Sequence, residues 1–137
     1  MDMTVETPLS ARELFEELSR KPGFAIDEYW AEDVVIEQPF ALPPRRTEGR
    51  ANFLAAAVPG RAALPVRFDG IRDPVVHETV DPELIIVEFR LAGTITTTGR
   101  SASAPFVVVL RVRDGKIVLW REYQNVALMT ELLGELG

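Results

Sequence analysis

The stretch FVVVLRVRDGKIVLWREYQN, residues 106–125, decides the fold. Two runs rich in β-branched and aromatic residues flank the dipeptide Asp114-Gly115. Asp-Gly between two such runs is a strong signal for a β-hairpin, because a type I′ turn needs positive φ at both central positions. We therefore expect two antiparallel strands, over residues 106–113 and 116–125.

Pairing outward from this turn assigns the two faces of the hairpin. In strict register, Phe106 lies opposite Tyr123 and Val109 lies opposite Trp120. The expected inner face holds Phe106, Val108, Leu110, Val112, Ile117, Leu119 and Tyr123, together with Arg121 and Asn125. The outer face combines Val107, Val109, Val118 and Trp120 into an exposed apolar strip, which predicts a homodimer. Glu122 falls on the outer face unless a β-bulge precedes it.

The chain before the hairpin changes from a helical to a stranded pattern. Ser10 and Glu13 form a capping box ahead of an apolar helical stripe. Further helices are expected over residues 24–31, which include Tyr29 and Trp30, and over 49–58, where Pro59-Gly60 should end the helix. A short strand lies between them at 34–36.

From Pro65 onward we expect a bent strand over residues 66–80, interrupted at Asp73-Pro74, and a long strand over 84–97. An amphipathic helix over 126–136 closes the chain. Helices first and strands afterwards predict an α+β fold, with helices packed on a curved, mainly antiparallel sheet. A length of 137 residues predicts one domain, residues 1–137.

Composition excludes several classes of function. A net charge of −6 with scattered basic residues argues against nucleic acid, whose phosphates require clustered Lys and Arg. The chain has no Cys and one His, so neither thiolate chemistry nor a metal site is expected. The N-terminus shows no signal sequence and no apolar run approaches the length of a bilayer span. We expect a cytoplasmic protein that binds neither nucleic acid nor membranes.

Three stretches resemble the SnoaL-like branch of the NTF2-like superfamily. They are residues 29–40, the Thr47-Glu48-Gly49-Arg50 segment, and residues 109–125. Together with the order of elements, the resemblance covers nearly the whole chain. It implies a cone in which helices and a curved sheet enclose a mostly apolar pocket, and chemistry that needs no cofactor. It does not specify a reaction, because one fold hosts many activities.

Relatives with this fold differ at the positions that carry their chemistry. Polyketide cyclases and limonene-epoxide hydrolases carry an acid at the end of the last strand, where this chain has Asn125, an amide that cannot transfer a proton. The Arg-x-Asp pair of the epoxide hydrolases is matched by residues 90–92, which lack the acid. Residues 121–125 resemble the corresponding ending of phenazine-biosynthesis proteins, which implies that Glu122 is an acid in the pocket. The histidine of that family aligns with Ala56.

These considerations give a set of candidate site residues. Glu37 or Glu122 is the expected general base, and Tyr123 with Asn125 would polarise the developing enolate. The expected pocket lining consists of Trp30, Phe53, Glu88, Arg90, Phe106, Val108 and Arg121.

Simpler structural interpretations compete for several of these residues. Glu37 is equally well explained as an exposed acid at a strand end. An ion pair on the outer sheet face is the favoured explanation of Glu88 and Arg90. Core packing accounts for Trp30 and Phe53 as well as a cavity wall does.

We therefore expect a cofactor-independent isomerase or cyclase that abstracts a proton next to a carbonyl group. Its substrate would be a small apolar or aromatic molecule of polyketide-like, terpenoid or aromatic type. The alternative is a non-catalytic ligand-binding or accessory protein, which is favoured by Asn125 and Ala92 at positions where related enzymes carry acids.

Overall fold

The computed structural model describes residues 7–21 and 27–134. The elements, in chain order, are α1 (Ala11–Arg20), β1 (Trp30–Gln38), β2 (Arg45–Glu48), α2 (Arg50–Ala63), β3 (Val66–Glu78), β4 (Leu84–Ile95), β5 (Ser101–Arg113), β6 (Lys116–Gln124) and α3 (Val126–Gly134). The six strands form one sheet in the order β2-β1-β6-β5-β4-β3. Of the strand pairs in this sheet, β1–β6 is parallel and the others are antiparallel. The expected α+β architecture is confirmed.

Helix α1 begins with the predicted capping box. The Glu13 amide donates to the Ser10 hydroxyl at 3.1 Å, and the Ser10 amide donates to the Glu13 carboxylate at 3.1 Å. Ala11, Leu14, Phe15 and Leu18 are all buried, as their helical spacing predicts. Through this stripe α1 covers the inner face of β3, β4 and β5 and closes the core.

The first half of the chain contains more strand than its pattern predicts. Trp30 begins β1 and does not belong to a helix, and the part of the expected helix at residues 24–26 lies outside the described residues. Long-range pairing explains the difference: Ile117 donates its amide to the Tyr29 carbonyl, which joins this segment to β6. Tertiary hydrogen bonds override a weak local preference here. Strand β2, which was not predicted, pairs with β1.

Helix α2 extends beyond its expected end at Pro59-Gly60 and stops at Ala63. A proline inside a helix removes one backbone hydrogen bond, but the helix can continue when side-chain contacts stabilise its last turn. Here the Arg61 guanidinium lies 5.2 Å from the centre of the Phe68 ring, which anchors the last turn to β3. Strand β3 is bent as expected, and its register shifts between Arg72 and Val75.

The hairpin turn is formed by Asp114 and Gly115 as predicted, with φ values of 53° and 74°. The first two pairs beyond it also match, and the second of them joins Val112 to Ile117. The strict register is wrong beyond that point. Val118 is an extra residue in β6, a β-bulge, so Leu119 lies opposite Arg111.

This bulge exchanges the faces of all the residues of β6 that follow it. Trp120 lies opposite Leu110 on the inner face and is only 2% exposed, with its ring centre 5.0 Å from that of Trp30. Glu122 is opposite Val108 on the same face, whereas Arg121 and Tyr123 point to the outer face. The expected outer strip therefore lacks Trp120, and the homodimer stays a prediction without that residue.

Substitutions at two aromatic residues of β6 test the bulged register. Trp120→Ala should lower the free energy of unfolding by about 3–5 kcal/mol, because it opens a cavity in the core. Tyr123→Ala should cost about 1 kcal/mol, since it removes a partly exposed ring that meets Phe40 edge-on. Urea unfolding measures both values. A larger loss for Tyr123→Ala would favour the strict register.

Candidate functional site

Among the described strand residues that face the core, Glu122 is the one that carries a carboxylate. The bulge turns it inward, and two neighbouring side chains hold its two oxygens. Gln38 donates from Nε2 to Glu122 Oε2 at 3.2 Å, and Trp120 donates from Nε1 to Glu122 Oε1 at 3.2 Å. The carboxylate is therefore oriented by groups on two adjacent strands, β1 and β6.

Burial dominates the electrostatics of Glu122. It raises the pKa of the carboxyl group above its ordinary value of 4.5, although the hydrogen bonds from Gln38 and Trp120 and the charge of Arg61 act in the opposite direction. Arg61 extends from the last turn of α2. Burial lowers the pKa of Arg61 below the ordinary value of an arginine, and the charge of Glu122 opposes this shift. The two charges therefore interact across the interior between α2 and β6.

An apolar cavity of about 100 Å³ opens on the same inner face. It is lined by Leu64, Val66, Phe68, Leu91, Gly93, Ile95, Ala102, Ser103, Ala104, Phe106 and Leu132. Ser103 is the one polar residue of this lining, and its hydroxyl is bound by Arg90 on the outer face, so the cavity surface is almost entirely apolar. Small residues of β4 and β5 leave the space open. A Cβ added at Gly93 would lie 3.3 Å from both the Arg67 carbonyl oxygen and Val66 Cγ1.

The cavity and the carboxylate are neighbours within the sheet. Glu122 pairs with Val108, and the cavity-lining Phe106 is the next inward residue along β5. Such diagonal neighbours have Cβ atoms roughly 7–8 Å apart. Phe68 lines the cavity and also lies beneath Arg61. An apolar chamber therefore adjoins a carboxylate and a guanidinium.

Glu37 and Arg121 form an ion pair on the outer face. Arg121 Nε donates to Glu37 Oε2 at 2.9 Å, and Arg46 Nε lies 3.6 Å from Glu37 Oε1. The expected inner position of Arg121 was wrong, because the bulge reverses its face. The sheet itself separates Glu37 from Glu122.

Tyr123 and Asn125 also lie away from Glu122. The Tyr123 ring meets Phe40 edge-on with ring centres 5.0 Å apart. Asn125 is exposed, and its Oδ1 accepts the Leu128 amide at the start of α3, as a helix-capping residue does. The inner position expected for both residues was wrong for the same reason as for Arg121, the one-residue shift in β6.

The other expected pocket residues divide between the faces. Glu88 and Arg90 lie on the outer face, as the structural interpretation predicted. They do not form the expected ion pair with each other: Glu88 contacts His77 at 2.7 Å, and Arg90 donates to the Ser103 hydroxyl. Phe106 lines the cavity. The remaining three belong to or pack against the core: Trp30, Phe53 and Val108.

Three residues at this site were not predicted: Gln38, Arg61 and Trp120. The positions of Gln38 and Trp120 depend on the register of β6 and on its parallel pairing with β1, and no short sequence pattern indicates either of these. Arg61 was missed because α2 was expected to end before it. The signal that could have identified the inward acid was the resemblance of residues 121–125 to phenazine-biosynthesis proteins.

Comparison with known proteins identifies the family. A model of the SnoaL-like domain matches residues 11–120, most of the chain. An uncharacterized PhzA/B-like protein of Pseudomonas aeruginosa is 37% identical over 102 residues, which cover 73% of this chain and 70% of that protein. The chain therefore belongs to the SnoaL-like family, as its sequence motifs suggested.

Solved structures show the same fold. A Bacillus subtilis protein provisionally named an isomerase is 29% identical, with a TM-score of 0.67 over 78% of this chain and 77% of its own. A phenazine biosynthesis-related protein from Pseudomonas aeruginosa has a TM-score of 0.71 at 24% identity, over 90% and 84% of the two chains. The second likeness concerns the fold alone.

Neither a metal-binding cluster nor a membrane-spanning helix is present among the described residues. Residues 7–21 and 27–134 contain no group of three or more His, Asp or Glu side chains arranged to hold a metal ion. No helix in this same part of the chain is long and apolar enough to span a bilayer.

The raised pKa of Glu122 predicts how stability depends on pH. The native state binds the proton of Glu122 more tightly than the unfolded chain does, so this stabilisation is complete below about pH 4.5 and is lost as the pH rises through the raised pKa. Glu122→Gln removes the titration. The variant should therefore gain stability relative to the wild type between about pH 4 and pH 8.

Urea unfolding at a series of pH values measures this difference. Glu17→Gln, on the exposed side of α1, is the control for removing one carboxylate from the surface. A stability difference between Glu122→Gln and wild type that stays constant with pH, or that moves in favour of the wild type, would contradict the burial of a titrating Glu122.

Proposed function

We propose that the protein binds a small apolar molecule carrying a carbonyl group in the inner-face cavity and shifts a proton on it, as a cofactor-independent isomerase or cyclase. The single observation that supports this is Glu122, an oriented carboxylate with a raised pKa beside an apolar chamber. A base is most effective when its pKa approaches the working pH, and burial moves Glu122 in that direction.

In the proposed reaction, the Glu122 carboxylate removes a proton from the carbon next to the carbonyl. The C–H electron pair then forms an enolate, whose negative oxygen would be stabilised by the positive charge of Arg61. In an isomerisation, the protonated Glu122 returns the proton to another carbon of the conjugated system. In a cyclisation, the enolate carbon attacks a second carbonyl, and Glu122 gives its proton to the resulting alkoxide.

The size of the cavity limits the substrate. An apolar cavity of 150 Å³ is known to hold benzene, and the chamber here has about 100 Å³. The substrate part held in the chamber is therefore no larger than a single ring or a short branched chain, and its carbonyl would extend out of the chamber toward Glu122. This narrows the polyketide-like, terpenoid or aromatic class expected from the sequence to small members.

Exchange of carbon-bound protons tests the proposal without the natural substrate. Phenylacetone combines one ring with acidic protons next to a carbonyl, and NMR in D₂O measures how fast deuterium replaces them. The wild type should accelerate this exchange above the buffer rate. Glu122→Gln should lower the protein-dependent rate by about 100-fold or more, the usual contribution of a general base.

Glu37→Gln is the matched control, because it removes a carboxylate from the other face of the same sheet. We expect it to retain most of the exchange activity. Equal exchange by wild type and Glu122→Gln would reject Glu122 as the base. A loss confined to Glu37→Gln would move the reaction to the outer face.

A second candidate function is ligand binding without chemistry. It is favoured by the lining of the cavity, which is almost entirely apolar. A binding protein would bind phenylacetone and leave its protons unexchanged. Ala102→Leu, which fills the chamber from β5, should weaken binding whichever function is correct. Binding without exchange above the buffer rate would therefore select this second candidate.

A further inference from the structure

The outer face of the sheet contains a polar groove that the proposed reaction does not use. It is open to solvent and has a volume of about 540 Å³. Its lining consists of Asp69, Arg72, Asp73, Arg90, Ala92, Gly93, Ser101, Ala102 and Ser103. The groove exists because small residues occupy the middle of the sheet: Ala92 pairs with Gly70 on one side and with Ser103 on the other.

Two arginines form one end of this groove. Arg72 of β3 and Arg90 of β4 are direct cross-strand partners. Side chains at such positions have Cβ atoms about 4.5–5.5 Å apart, and like charges directly opposite one another destabilise a sheet. Within residues 7–21 and 27–134, neither guanidinium forms an ion pair with a carboxylate. The charge of Asp69 acts on Arg72 without forming an ion pair with it, and no carboxylate bridges the two arginines. A bound anion that bridged the two guanidinium groups would relieve their repulsion.

Hydrogen bonds hold the Arg90 guanidinium in one orientation. Arg90 donates from Nε to the Ser103 hydroxyl at 2.8 Å and from Nη2 to the Ser103 carbonyl at 3.0 Å. These bonds use one edge of the guanidinium, and Nη1 is left for a ligand. Arg72 donates from Nη1 to the Ile71 carbonyl at 3.4 Å, a long bond that leaves most of its donors for other acceptors.

One of the two acidic residues of the groove, Asp69, already has hydrogen-bond partners outside it. Asp69 accepts from Arg67 Nε at 2.9 Å and from the Thr94 hydroxyl at 2.6 Å, and these two hydrogen bonds lower its pKa. The groove lining has two arginines and two aspartates, Asp69 and Asp73. Arg67 lies outside the lining and pairs with Asp69, so that these five residues together carry a charge of +1 in a chain whose net charge is −6.

We propose that Arg72 and Arg90 bind a small-molecule oxyanion, a phosphate or carboxylate group, in this outer-face groove. The planar guanidinium fork matches both groups, which share the geometry of two or more oxygens on one centre. Ser101 also lines the groove, and its hydroxyl would be a further donor for the same ligand. The site is separated from Glu122 by the sheet and is independent of the proposed reaction.

Titration with inorganic phosphate and with acetate tests the site. Backbone amide shifts are followed by NMR at constant ionic strength, with chloride as the reference anion. Phosphate or acetate should shift the amides of residues 69–73, 90–94 and 101–103, and the tighter of the two identifies the preferred group. Arg72→Gln and Arg90→Gln should each weaken binding by about tenfold, the loss of a charge-assisted hydrogen bond.

Arg20→Gln, on exposed helix α1, is the matched control and should bind as the wild type does. In chloride alone, Arg72→Gln and Arg90→Gln should each raise the melting temperature, because each removes the repulsion between the paired cations. No preference over chloride, or undiminished binding by the two variants, would overturn the proposal. A dimer that dissociates into monomers when phosphate is added, as measured by sedimentation, would also overturn it. In that case phosphate would displace a carboxylate of a second copy of the chain, and the groove would be a protein contact.

Discussion

The extra residue in β6, Val118, controls which side chains enter the core. Alternation along a strand has a period of two, so one inserted residue reverses the face of everything that follows. Ile117 and Trp120 are both buried although three positions separate them, which is possible only across a bulge. The core selects this register because it buries the Trp120 ring against Trp30 and Phe89. The strict register would instead place Arg121 and Asn125 inside.

The same bulge turns Glu122 into the interior, where a charge is costly. Partial burial raises the pKa of this carboxyl group, and hydrogen bonds hold the group in place. Gln38 and the Trp120 indole supply them, and Arg61 supplies an opposite charge from α2. The aromatic residue that stabilises the core therefore also holds the polar group on which the proposed function depends. A polar group placed in this way reduces the stability of the fold.

Long-range pairing also limited how much could be predicted elsewhere. The capping box of α1, the Asp114-Gly115 turn and the break in β3 were all correct, since each depends on residues within a few positions of one another. The strand beginning at Trp30 was missed, because it is stabilised by β6, nearly ninety positions later. Among the candidate site residues, the resemblance correctly suggested an inward Glu122, whereas strict pairing in the hairpin placed it outside.

The sequence by itself determined the class of fold and the family, because periodicity, caps and turn residues are local and the motifs are spread along the whole chain. It also determined that an apolar face would carry a small number of polar side chains. Only the tertiary structure decided which side chains these are. The identity of these side chains depends on the position of the β-bulge in β6. The packing of Trp120 against residues distant in the chain sets the position of this bulge. No local pattern in residues 116–124 distinguishes the bulged register from the strict one.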